Sequence, residues 1–595
     1  MTYTAPIADM RFAATRLAGF AELAGLPGGD ELSEGLLDSI FEQGGRFAAG
    51  VLAPLNRVGD RQGSRLENGV VRTPDGWAEA YRAFVAAGWN SVPFDHDFGG
   101  QNLPWLVAMA LQEMWHCASM AFALCPMLTQ AAVEAVSHHG SAALKKRFLP
   151  KMISGEWTGT MNLTEPQAGS DLAAVRTRAV RDGDHYRITG QKIFITYGDH
   201  ELAANIVHLV LARLPDAPPG VKGISLFVVP KYLMNEDGMP GQHNDLRCVS
   251  LEEKMGIHAS PTAVLSYGDN GGAFGLLVGE ENKGLQYMFT TMNNARLSVG
   301  LEGIGVAERA LQKAGTFARE RVQGREPVNG EVKPVAIIRH PDVRRMLLTM
   351  RALTEAARAL AYFAAGQLDI GKRHPDPAVR AHAQAIVDLL VPVVKGWGTE
   401  IGSEAASLGV QIHGGMGYIE ETGAAQFMRD AKIAEIYEGT NGIQANDLIG
   451  RKLTRDGGAT AKSFVATMRL LDQELAAAAA EFAPLRTALS EGLDALGTAT
   501  DWILARQTDS PPDAAAGAMS YLRLWGTVAG GWLMARAALA ARKDLAEGHG
   551  DPEFLRAKVL TARFYGEQIL PRAASLRAAA TAGAATLMAM QDAAF

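Results

Sequence analysis

The sequence predicts a mostly α-helical protein with a β-rich region in its middle. Residues 34–156 have a helical pattern with few β-branched runs. Residues 156–269 contain short β-rich runs separated by turns, and long helical patterns return after Gly284. Because the strands and helices occupy separate blocks instead of alternating, this order argues against a doubly wound α/β sheet.

The composition is that of a globular protein with more than one core. A length of 595 residues predicts roughly three or four domains, and a hydrophobic content of 48% with 20% charged residues is ordinary. The net charge of −7, with Lys and Arg scattered among acids, argues against nucleic acid as a partner. The three cysteines form no CxxC pair, which favours a reducing cytoplasm.

The N-terminal residues and the apolar stretches give no targeting or membrane signal. The first twelve residues, MTYTAPIADMRF, lack the basic start and continuous apolar core of a secretory signal. The most apolar long stretch starts at Met120 and is broken by Pro126, so it is shorter than the ~20 apolar residues that span a bilayer. We therefore expect a buried helix and no membrane span.

The region after Gly284 has the periodicity of long packed helices. In residues 300–318, small and apolar side chains share one stripe while charged side chains lie opposite, and residues 343–360 repeat this spacing. Residues 378–408 resemble a third long helix, which together predicts a helical bundle. A linker at 454–462 leads into an Ala-rich helical tail, whose apolar stretch 522–539 is expected to pack on a partner surface.

The sequence lacks the motifs of several common enzyme and nucleotide-binding classes. It contains no GxxxxGK[ST] phosphate loop, no HExxH motif and no GxSxG elbow. The glycines of GLEGIGVAE, from Gly300, lack both the GxGxxG order and a preceding strand, so we expect them to allow close helix packing. The His138-His139 pair has no third ligand at a metal-binding spacing, and no metal site is predicted.

Four short motifs remain, and each alone has an ordinary structural explanation. TEPQAGSD (164–171) is a turn, GQKIFITYG (190–198) is a strand, QIHGGMGY (411–418) is a helix end, and AEIYEGTNGIQ (434–444) contains one carboxylate before a glycine run. Together and in this order they resemble the acyl-CoA dehydrogenase family. The resemblance covers roughly residues 40–453.

The resemblance implies a fold with a central β-barrel and an FAD cofactor. It places an N-terminal helical domain at 1–157, the β-barrel at 158–280, a four-helix bundle carrying the catalytic base at 281–453, and a C-terminal helical extension at 460–595. The extension and RCVSLEEKMGIHASPT (247–262) are similar to the enlarged branch that includes 3-methylmercaptopropionyl-CoA dehydrogenases.

By motif match, the resemblance assigns cofactor contacts in both helical and β regions. Thr196 is expected near flavin N5, and Phe194 occupies a position often held by Trp. Arg321 matches a residue that reaches the FAD of a neighbouring subunit, although ERVQGR replaces the frequent ERxxFG. The expected cofactor-binding residues are Met161, Leu163, Thr164, Phe194, Thr196, Arg321, Gln411, Gly414, Gly415, Thr440 and Asn441.

The resemblance also implies the catalytic base and the substrate contacts. Desaturating a thioester requires removal of an α-proton while a hydride leaves the β-carbon for flavin N5, and Glu438 matches the base. Some relatives place the base at the position of Ala295, where an alanine cannot serve. The thioester carbonyl is expected to be polarised by the Glu438 N–H and an FAD ribityl hydroxyl. The expected substrate-binding residues are Ser170, Asn293, Arg296 and Gly439.

The predicted function is oxidation of an acyl-CoA to trans-2-enoyl-CoA, with electrons passed to an electron-transfer flavoprotein. The substrate is either 3-methylmercaptopropionyl-CoA or a short or medium fatty acyl-CoA, since one methylene changes selectivity by only ~1–3 kcal/mol. The alternatives are an acyl-CoA oxidase that uses oxygen and a non-catalytic protein that binds acyl-CoA or flavin. A cytoplasmic homodimer is expected.

Overall fold

The structure, a computed structural model, describes residues 3–328, 331–478 and 480–595, and the side chains of residues 289–293 and 328 lie outside that description. The chain divides into two compact units. The first unit comprises residues 3–45 and 299–595, and the second unit comprises residues 46–298. The four domain boundaries predicted from the sequence are a finer division and stay a prediction.

Helices dominate both ends of the chain. They are α1 (Ile7–Phe12), α2 (Phe20–Ala24), α3 (Glu34–Phe47), α4 (Ala53–Gln62), α5 (Trp77–Ala86), α6 (Trp105–His139), α7 (Ala142–Ser154), α8 (Gly284–Glu320), α9 (Pro341–Arg373), α10 (Pro377–His413), α11 (Ala424–Lys432), α12 (Asn441–Asp447), α13 (Ala459–Arg469), α14 (Leu471–Ala477), α15 (Ala483–Asp509), α16 (Pro511–Glu547), α17 (Pro552–Gln568), α18 (Arg572–Ala580) and α19 (Ala585–Ala589).

Strands are concentrated in the second unit. They are β1 (Arg65–Glu67), β2 (Val70–Arg72), β3 (Trp157–Asn162), β4 (Arg178–Asp182), β5 (His185–Thr196), β6 (Asn205–Arg213), β7 (Ile224–Pro230), β8 (Tyr232–Met234), β9 (Pro240–His243), β10 (Leu246–Leu251), β11 (Thr262–Tyr267), β12 (Ala273–Leu277), β13 (Val322–Val328) and β14 (Glu331–Ala336).

The predicted β-rich region is present as one eight-stranded sheet. Its order is β10-β11-β5-β12-β7-β6-β3, with β4 paired to β5 and β6. Strands β6 and β7 are almost wholly buried, as expected for near-continuous Val, Ile and Leu runs covered on both faces. None of the pairings described for these strands joins β10 to β3, so closure into a barrel stays a prediction.

Two hairpins lie where no strand was predicted from the sequence. Strands β1 and β2 pair antiparallel within the first predicted helical block. Strands β13 and β14 form a second antiparallel ribbon between α8 and α9. The prediction of a helical block was wrong for β1 and β2, whereas β13 and β14 lie between the helices predicted at 300–318 and 343–360. Each hairpin is short and its strands are largely exposed, which gives no buried apolar alternation to detect.

Capping side chains set the starts of several helices. The Ser141 hydroxyl accepts from the Leu144 N–H at 3.2 Å at the start of α7. The Asp376 carboxylate accepts from the Ala378 N–H at 2.8 Å at the start of α10, where Pro377 occupies the first turn. Both arrangements satisfy N–H groups that a helix leaves unbonded at its start.

The glycines of GLEGIGVAE allow close packing between α8 and α10, as predicted. A Cβ built on Gly300 would lie 2.8 Å from the Val394 carbonyl oxygen, and one on Gly303 would lie 2.2 Å from the Gly398 carbonyl oxygen. No side chain fits at such separations. The two helix backbones therefore approach each other more closely than alanine would permit.

The apolar stretch 522–539 is an interior element of the first unit. Most of its residues are buried, including Trp525, and Cβ atoms built on Gly526 and Gly530 would collide with the Trp397 ring at 2.3 and 2.6 Å. The expectation that this stretch packs on a partner surface was therefore wrong. Its residues are apolar because they cover α9 and α10 within the same unit.

Two segments are long and apolar enough to cross a membrane by length and composition. They are Trp105–His139 and Pro377–Tyr418, within the described residues. The most apolar window of the first is completely buried, and half of that of the second is buried. Core helices of globular proteins pass the same test, so these segments are weak evidence for a span.

A buried ion network ties the N-terminal segment to the rest of the first unit. The Arg358 guanidinium donates to Asp9 (2.5 Å) and Glu308 (2.9 Å), and the Lys558 ammonium donates to Asp9 and to Glu355 (2.8 Å). Burial alone would raise the pKa of Asp9, but Lys558 and Arg358 outweigh it and lower the pKa to about 2. The network joins α1, α8, α9 and α17.

Replacing Arg358 with Met should destabilise the first unit by about 3–5 kcal/mol. The change removes the cation that donates hydrogen bonds to the buried carboxylates of Asp9 and Glu308. Denaturant unfolding followed by circular dichroism measures the loss. The control is Arg345→Met, which removes an exposed pair with Asp342 (2.8 Å) and should cost less than about 1 kcal/mol. Equal costs for the two variants would contradict a stabilising role for the network.

Candidate active site

Part of the predicted site is a loop of the second unit that follows β3. The loop is held by a buried ion pair, in which the Lys192 ammonium donates to the Glu165 carboxylate at 2.8 Å and to the Leu163 carbonyl at 2.9 Å. Glu165 also accepts from the Thr177 hydroxyl and N–H and from the Arg176 N–H. The TEPQAGSD loop is thus fixed from inside the unit.

The pKa of Glu165 reflects how strongly its partners stabilise the ionised carboxylate. Burial alone would raise the pKa, but the Lys192 ammonium and the hydrogen bonds from Thr177 and the Arg176 N–H outweigh it and lower the pKa to about 2. A lowered folded-state pKa means that the pair contributes full stability above the ordinary carboxyl range. That stability is lost as the pH falls towards 2.

Phe194 lies at an irregular point of β5. The pairing of β5 with β11 shifts register between Ile195 and Lys192, and Phe194 has φ +59°, a left-handed conformation that aromatic residues rarely adopt. Its ring is 59% exposed. The bulge therefore turns an aromatic face outward that a regular strand would place differently.

Thr164 and Thr196, whose hydroxyl groups are predicted to contact the cofactor, both lie close to the Phe194 bulge. Thr196 follows Phe194 by two residues, and Thr164 is hydrogen-bonded to Ile193 of the same strand. Thr164 and Thr196 are half-buried, and neither hydroxyl hydrogen-bonds to another described residue. The backbone is fixed at both positions, since the Thr164 carbonyl accepts from the Ile193 N–H (3.0 Å) and the Thr196 carbonyl accepts from the Thr160 hydroxyl (2.7 Å). Met161 is buried in β3 and Leu163 is half-buried.

The predicted substrate contacts of the second unit lie in different environments. Ser170 is exposed at the end of the TEPQAGSD loop, and Arg296 is buried in α8. The side chain of Asn293 lies outside the described residues. Ala295 is buried in the same helix, and its methyl group offers no titratable atom.

Glu438, in the first unit, has a strained backbone. Its φ is +53° and that of Gly439 is +83°, so two consecutive residues are left-handed where only the glycine adopts this conformation at little cost. The loop is held by Gln444, whose amide donates to the Glu438 carbonyl (3.2 Å) and the Gly439 carbonyl (3.4 Å). The Glu438 side chain is half-buried.

The two residues after Gly439 have internal structural contacts. The Thr440 hydroxyl caps α12 by accepting from the Ile443 N–H at 3.1 Å. The Asn441 side chain is buried, accepts from the Lys395 ammonium (2.9 Å) and donates to the Gly396 carbonyl (3.1 Å). Cofactor contact by Thr440 and Asn441 stays a prediction.

A second carboxylate, which was not predicted from the sequence, lies beside this loop. Glu302 of α8 is completely buried, and its Oε2 accepts from the Tyr437 hydroxyl at 2.5 Å. Burial raises the pKa of Glu302 to about 8, with Glu438 adding to the rise while the Tyr437 hydrogen bond and Lys395 oppose it. The periodicity gave no signal for it, because Glu302 falls opposite the small-residue stripe of α8, on the face that carries charged side chains.

The remaining cofactor positions lie on exposed parts of the first unit. Gln411, Gly414, Gly415 and Arg321 are all exposed, and a Cβ built on Gly414 or Gly415 would meet no atom within 4 Å. Their contacts with a cofactor stay predictions. His413, between Gln411 and Gly414, is buried, its Nδ1 lies 2.6 Å from the Gly409 carbonyl, and its ring stacks on Phe317.

Four family models match consecutive parts of the chain. They are the acyl-CoA dehydrogenase N-terminal domain (residues 42–156), middle domain (160–269) and C-terminal domain (282–453), followed by an acetyl-CoA dehydrogenase C-terminal like region (462–591). The middle-domain match includes both the TEPQAGSD loop and the Phe194 bulge. The third match includes Glu438.

Known proteins align with nearly the whole chain. A 3-methylmercaptopropionyl-CoA dehydrogenase from Ruegeria pomeroyi is 51% identical over 96% of both chains. A butyryl-CoA dehydrogenase from Syntrophomonas wolfei is 37% identical over 90% of this chain and 89% of its own. The structure of an acyl-CoA dehydrogenase complexed with FAD from Bacillus anthracis has the same fold, with a TM-score of 0.73, 21% identity, and coverage of 95% of this chain and 89% of that one.

Replacing Lys192 with Met should destabilise the second unit by about 3–5 kcal/mol, because Glu165 would be left buried without its cation. Lys222→Met removes an exposed ammonium in the same unit and should change stability by less than about 0.5 kcal/mol. Urea unfolding monitored by tryptophan fluorescence compares the two variants. A Lys192→Met protein as stable as the control would show that the pair does not hold the loop.

Proposed function

Since the chain belongs to the acyl-CoA dehydrogenase family, we propose that it oxidises an acyl-CoA thioester to the trans-2-enoyl-CoA, with Glu438 as the catalytic base. The family is FAD-dependent, and FAD is the cofactor. When bound, FAD supplies the oxidant that accepts the β-hydrogen with its electron pair. The protein has to supply binding, orientation and the base.

The residues of the second unit suit a flat aromatic cofactor with a polar edge. Phe194 presents an exposed ring at a strained bulge, which supports stacking. Thr164 and Thr196 offer half-buried hydroxyls without a partner among the described residues, and such groups favour a ligand that hydrogen-bonds to them. We propose that these three residues hold the flavin ring together with Met161 and Leu163.

The assignment of Glu438 rests on its backbone conformation. A non-glycine residue at φ +53° costs free energy, and such strain persists where surrounding contacts enforce it. Here the Gln444 amide fixes the carbonyls of both Glu438 and Gly439. We infer that this strain aims the carboxylate at the α-carbon of the thioester, while Gly439 leaves the approach open.

The proton and the carbonyl have separate partners in this proposal. The Glu438 carboxylate takes the α-proton and becomes the neutral acid, which releases the proton after the product leaves. The Glu438 N–H donates to the thioester carbonyl oxygen, where negative charge develops as the α-proton leaves. Ser170, Asn293 and Arg296 are proposed to bind the CoA ester, with Gly439 beside the acyl chain.

The preferred substrate is proposed to be 3-methylmercaptopropionyl-CoA. The 51% identical relative carries that activity in its name, whereas the 37% identical relative is named for butyryl-CoA. A short or medium fatty acyl-CoA is the alternative. We further propose an electron-transfer flavoprotein as acceptor, a homodimeric assembly in which Arg321 reaches the neighbouring FAD, and a cytoplasmic location.

Replacing Glu438 with Gln should lower turnover by roughly 10²–10⁴-fold while the purified protein stays yellow, because the amide cannot accept the α-proton. Flavin reduction by saturating acyl-CoA under anaerobic conditions measures the rate. The matched control is Glu435→Gln, three residues earlier, where the carboxylate pairs with Lys432 at 2.7 Å. Turnover in Glu438→Gln equal to that of the control would remove Glu438 from this role.

A panel of thioesters tests the substrate. The kcat/KM for 3-methylmercaptopropionyl-CoA should exceed that for pentanoyl-CoA, its isostere with a methylene in place of sulfur, by about tenfold. Butyryl-CoA and octanoyl-CoA complete the series. A maximum at octanoyl-CoA, or equal values for the isosteric pair, would point to an ordinary fatty acyl substrate.

The same panel separates a dehydrogenase from an oxidase. With oxygen as the sole acceptor, a dehydrogenase should form little hydrogen peroxide, and turnover should recover when an electron-transfer flavoprotein or an artificial electron acceptor is added. Stoichiometric peroxide without any added acceptor would favour the oxidase. Flavin that neither binds nor bleaches with any thioester would favour a non-catalytic protein.

A further inference from the structure

Glu302 is a buried carboxyl group that the proposed reaction does not use. It lies in α8 with no exposed surface. Its Oε2 accepts from the Tyr437 hydroxyl at 2.5 Å, whereas its Oε1 is buried and hydrogen-bonds to no other described residue. A buried oxygen without a donor is costly for an ionised carboxylate, which needs several donors around both oxygens.

Among the described residues, three groups with charge or a titratable proton interact with Glu302. Tyr437 and Glu438 belong to the loop before α12, and Lys395 belongs to α10. The Lys395 ammonium donates to the Asn441 side chain at 2.9 Å. The cluster thus combines one cation with two carboxyl groups, of which Glu302 is fully buried and Glu438 is half-buried.

We propose that Glu302 is a positioning residue for the reaction, which as a neutral carboxylic acid anchors Tyr437 and leaves Glu438 as the ionised carboxylate of this cluster. The inference rests on the proposed role of Glu438 as the base. Two neighbouring carboxyl groups do not ionise independently, and the more deeply buried one keeps its proton to higher pH. Burial raises the pKa of Glu302 to about 8, which agrees with this order of ionisation.

The hydrogen bond to Tyr437 gives the positioning role its geometry. Tyr437 directly precedes Glu438, so a fixed phenol ring constrains the peptide that carries the strained residue. Gln444 constrains the same segment from its other side through the Glu438 and Gly439 carbonyls. During the reaction one proton moves from the α-carbon to Glu438, and Glu302 keeps its own proton throughout.

The pH dependence of flavin reduction tests this division of charge. Ionisation of Glu302 near pH 8 places a second negative charge beside Glu438, so the wild-type rate should show an inflection there as the base strengthens. Glu302→Gln should keep the rate at pH 7 within about threefold and lose the inflection, because glutamine has the same shape without the ionisation. Coincident wild-type and variant profiles would overturn the proposal.

Two further variants separate positioning from a general effect of disturbing α8. Tyr437→Phe should lower kcat by about tenfold with KM changed less than about twofold, since the base is misplaced while substrate still binds. Glu308→Gln alters another buried carboxylate of α8, paired with Arg358 at 2.9 Å, and should lower thermal stability while keeping the inflection. A Glu308→Gln protein that lost the inflection would count against Glu302 as its source.

Infrared difference spectroscopy gives a readout that does not depend on catalysis. The spectrum of wild-type holoenzyme minus that of Glu302→Gln at pH 7 should contain the carbonyl band of a protonated carboxylic acid, which should disappear above about pH 8. Tyr437→Phe should shift this band by removing its hydrogen bond. Absence of the band at pH 7 overturns the proposal, whereas a band present in a protein whose Glu438→Gln variant still turns over refutes only the role of Glu438.

Discussion

A buried carboxyl group must either have a cation beside it or keep its proton, and this constraint orders much of the molecule. Asp9 and Glu165 each have a cation beside them, and their partners lower the pKa values to about 2 against the effect of burial. Asp9 lies in α1 and Glu165 lies in the TEPQAGSD loop, and their ion pairs connect both segments to other parts of their units. Glu302 instead keeps its proton. Its hydrogen-bond donor is the neutral hydroxyl of Tyr437, and the Lys395 ammonium hydrogen-bonds to Asn441. The paired carboxylates stabilise the fold, and the unpaired one lies beside the proposed base.

Backbone strain is the second feature that separates the site from the scaffold. Seven non-glycine residues among those described have positive φ, and four of them are asparagine or isoleucine in turns. The others are Phe194, Tyr197 and Glu438, which lie in two of the motifs that identified the family. An aromatic ring and a carboxylate in this conformation cost about 1–3 kcal/mol each, which a stable scaffold can offset through its buried contacts. The strain turns these side chains away from the direction that a regular strand or turn would give.

The sequence was a good guide to the blocks of the fold and a poorer guide to what each block contacts. Long helices such as α9 and α10 were predictable because their apolar periodicity extends over many turns. The hairpin β13–β14 was not, since exposed short strands carry no buried alternation. The motifs pointed to Glu438 and Thr196, whereas the contact between Glu302 and Tyr437 joins residues 135 positions apart in the chain. Such a contact depends on tertiary packing, which periodicity within one helix does not encode.

The packing of α8 on α10 is part of the environment of Glu302. Gly300 and Gly303 let the backbone of α8 approach α10 so closely that a Cβ on either would collide with main-chain atoms. Glu302 is buried in α8, and Lys395 of α10 lies within electrostatic reach of it while donating a hydrogen bond to Asn441. A wider helix pair would admit water, which would solvate the carboxylate and return its pKa towards the ordinary range. Exclusion of water by the packed helices therefore favours the protonated form of the group beside the proposed base.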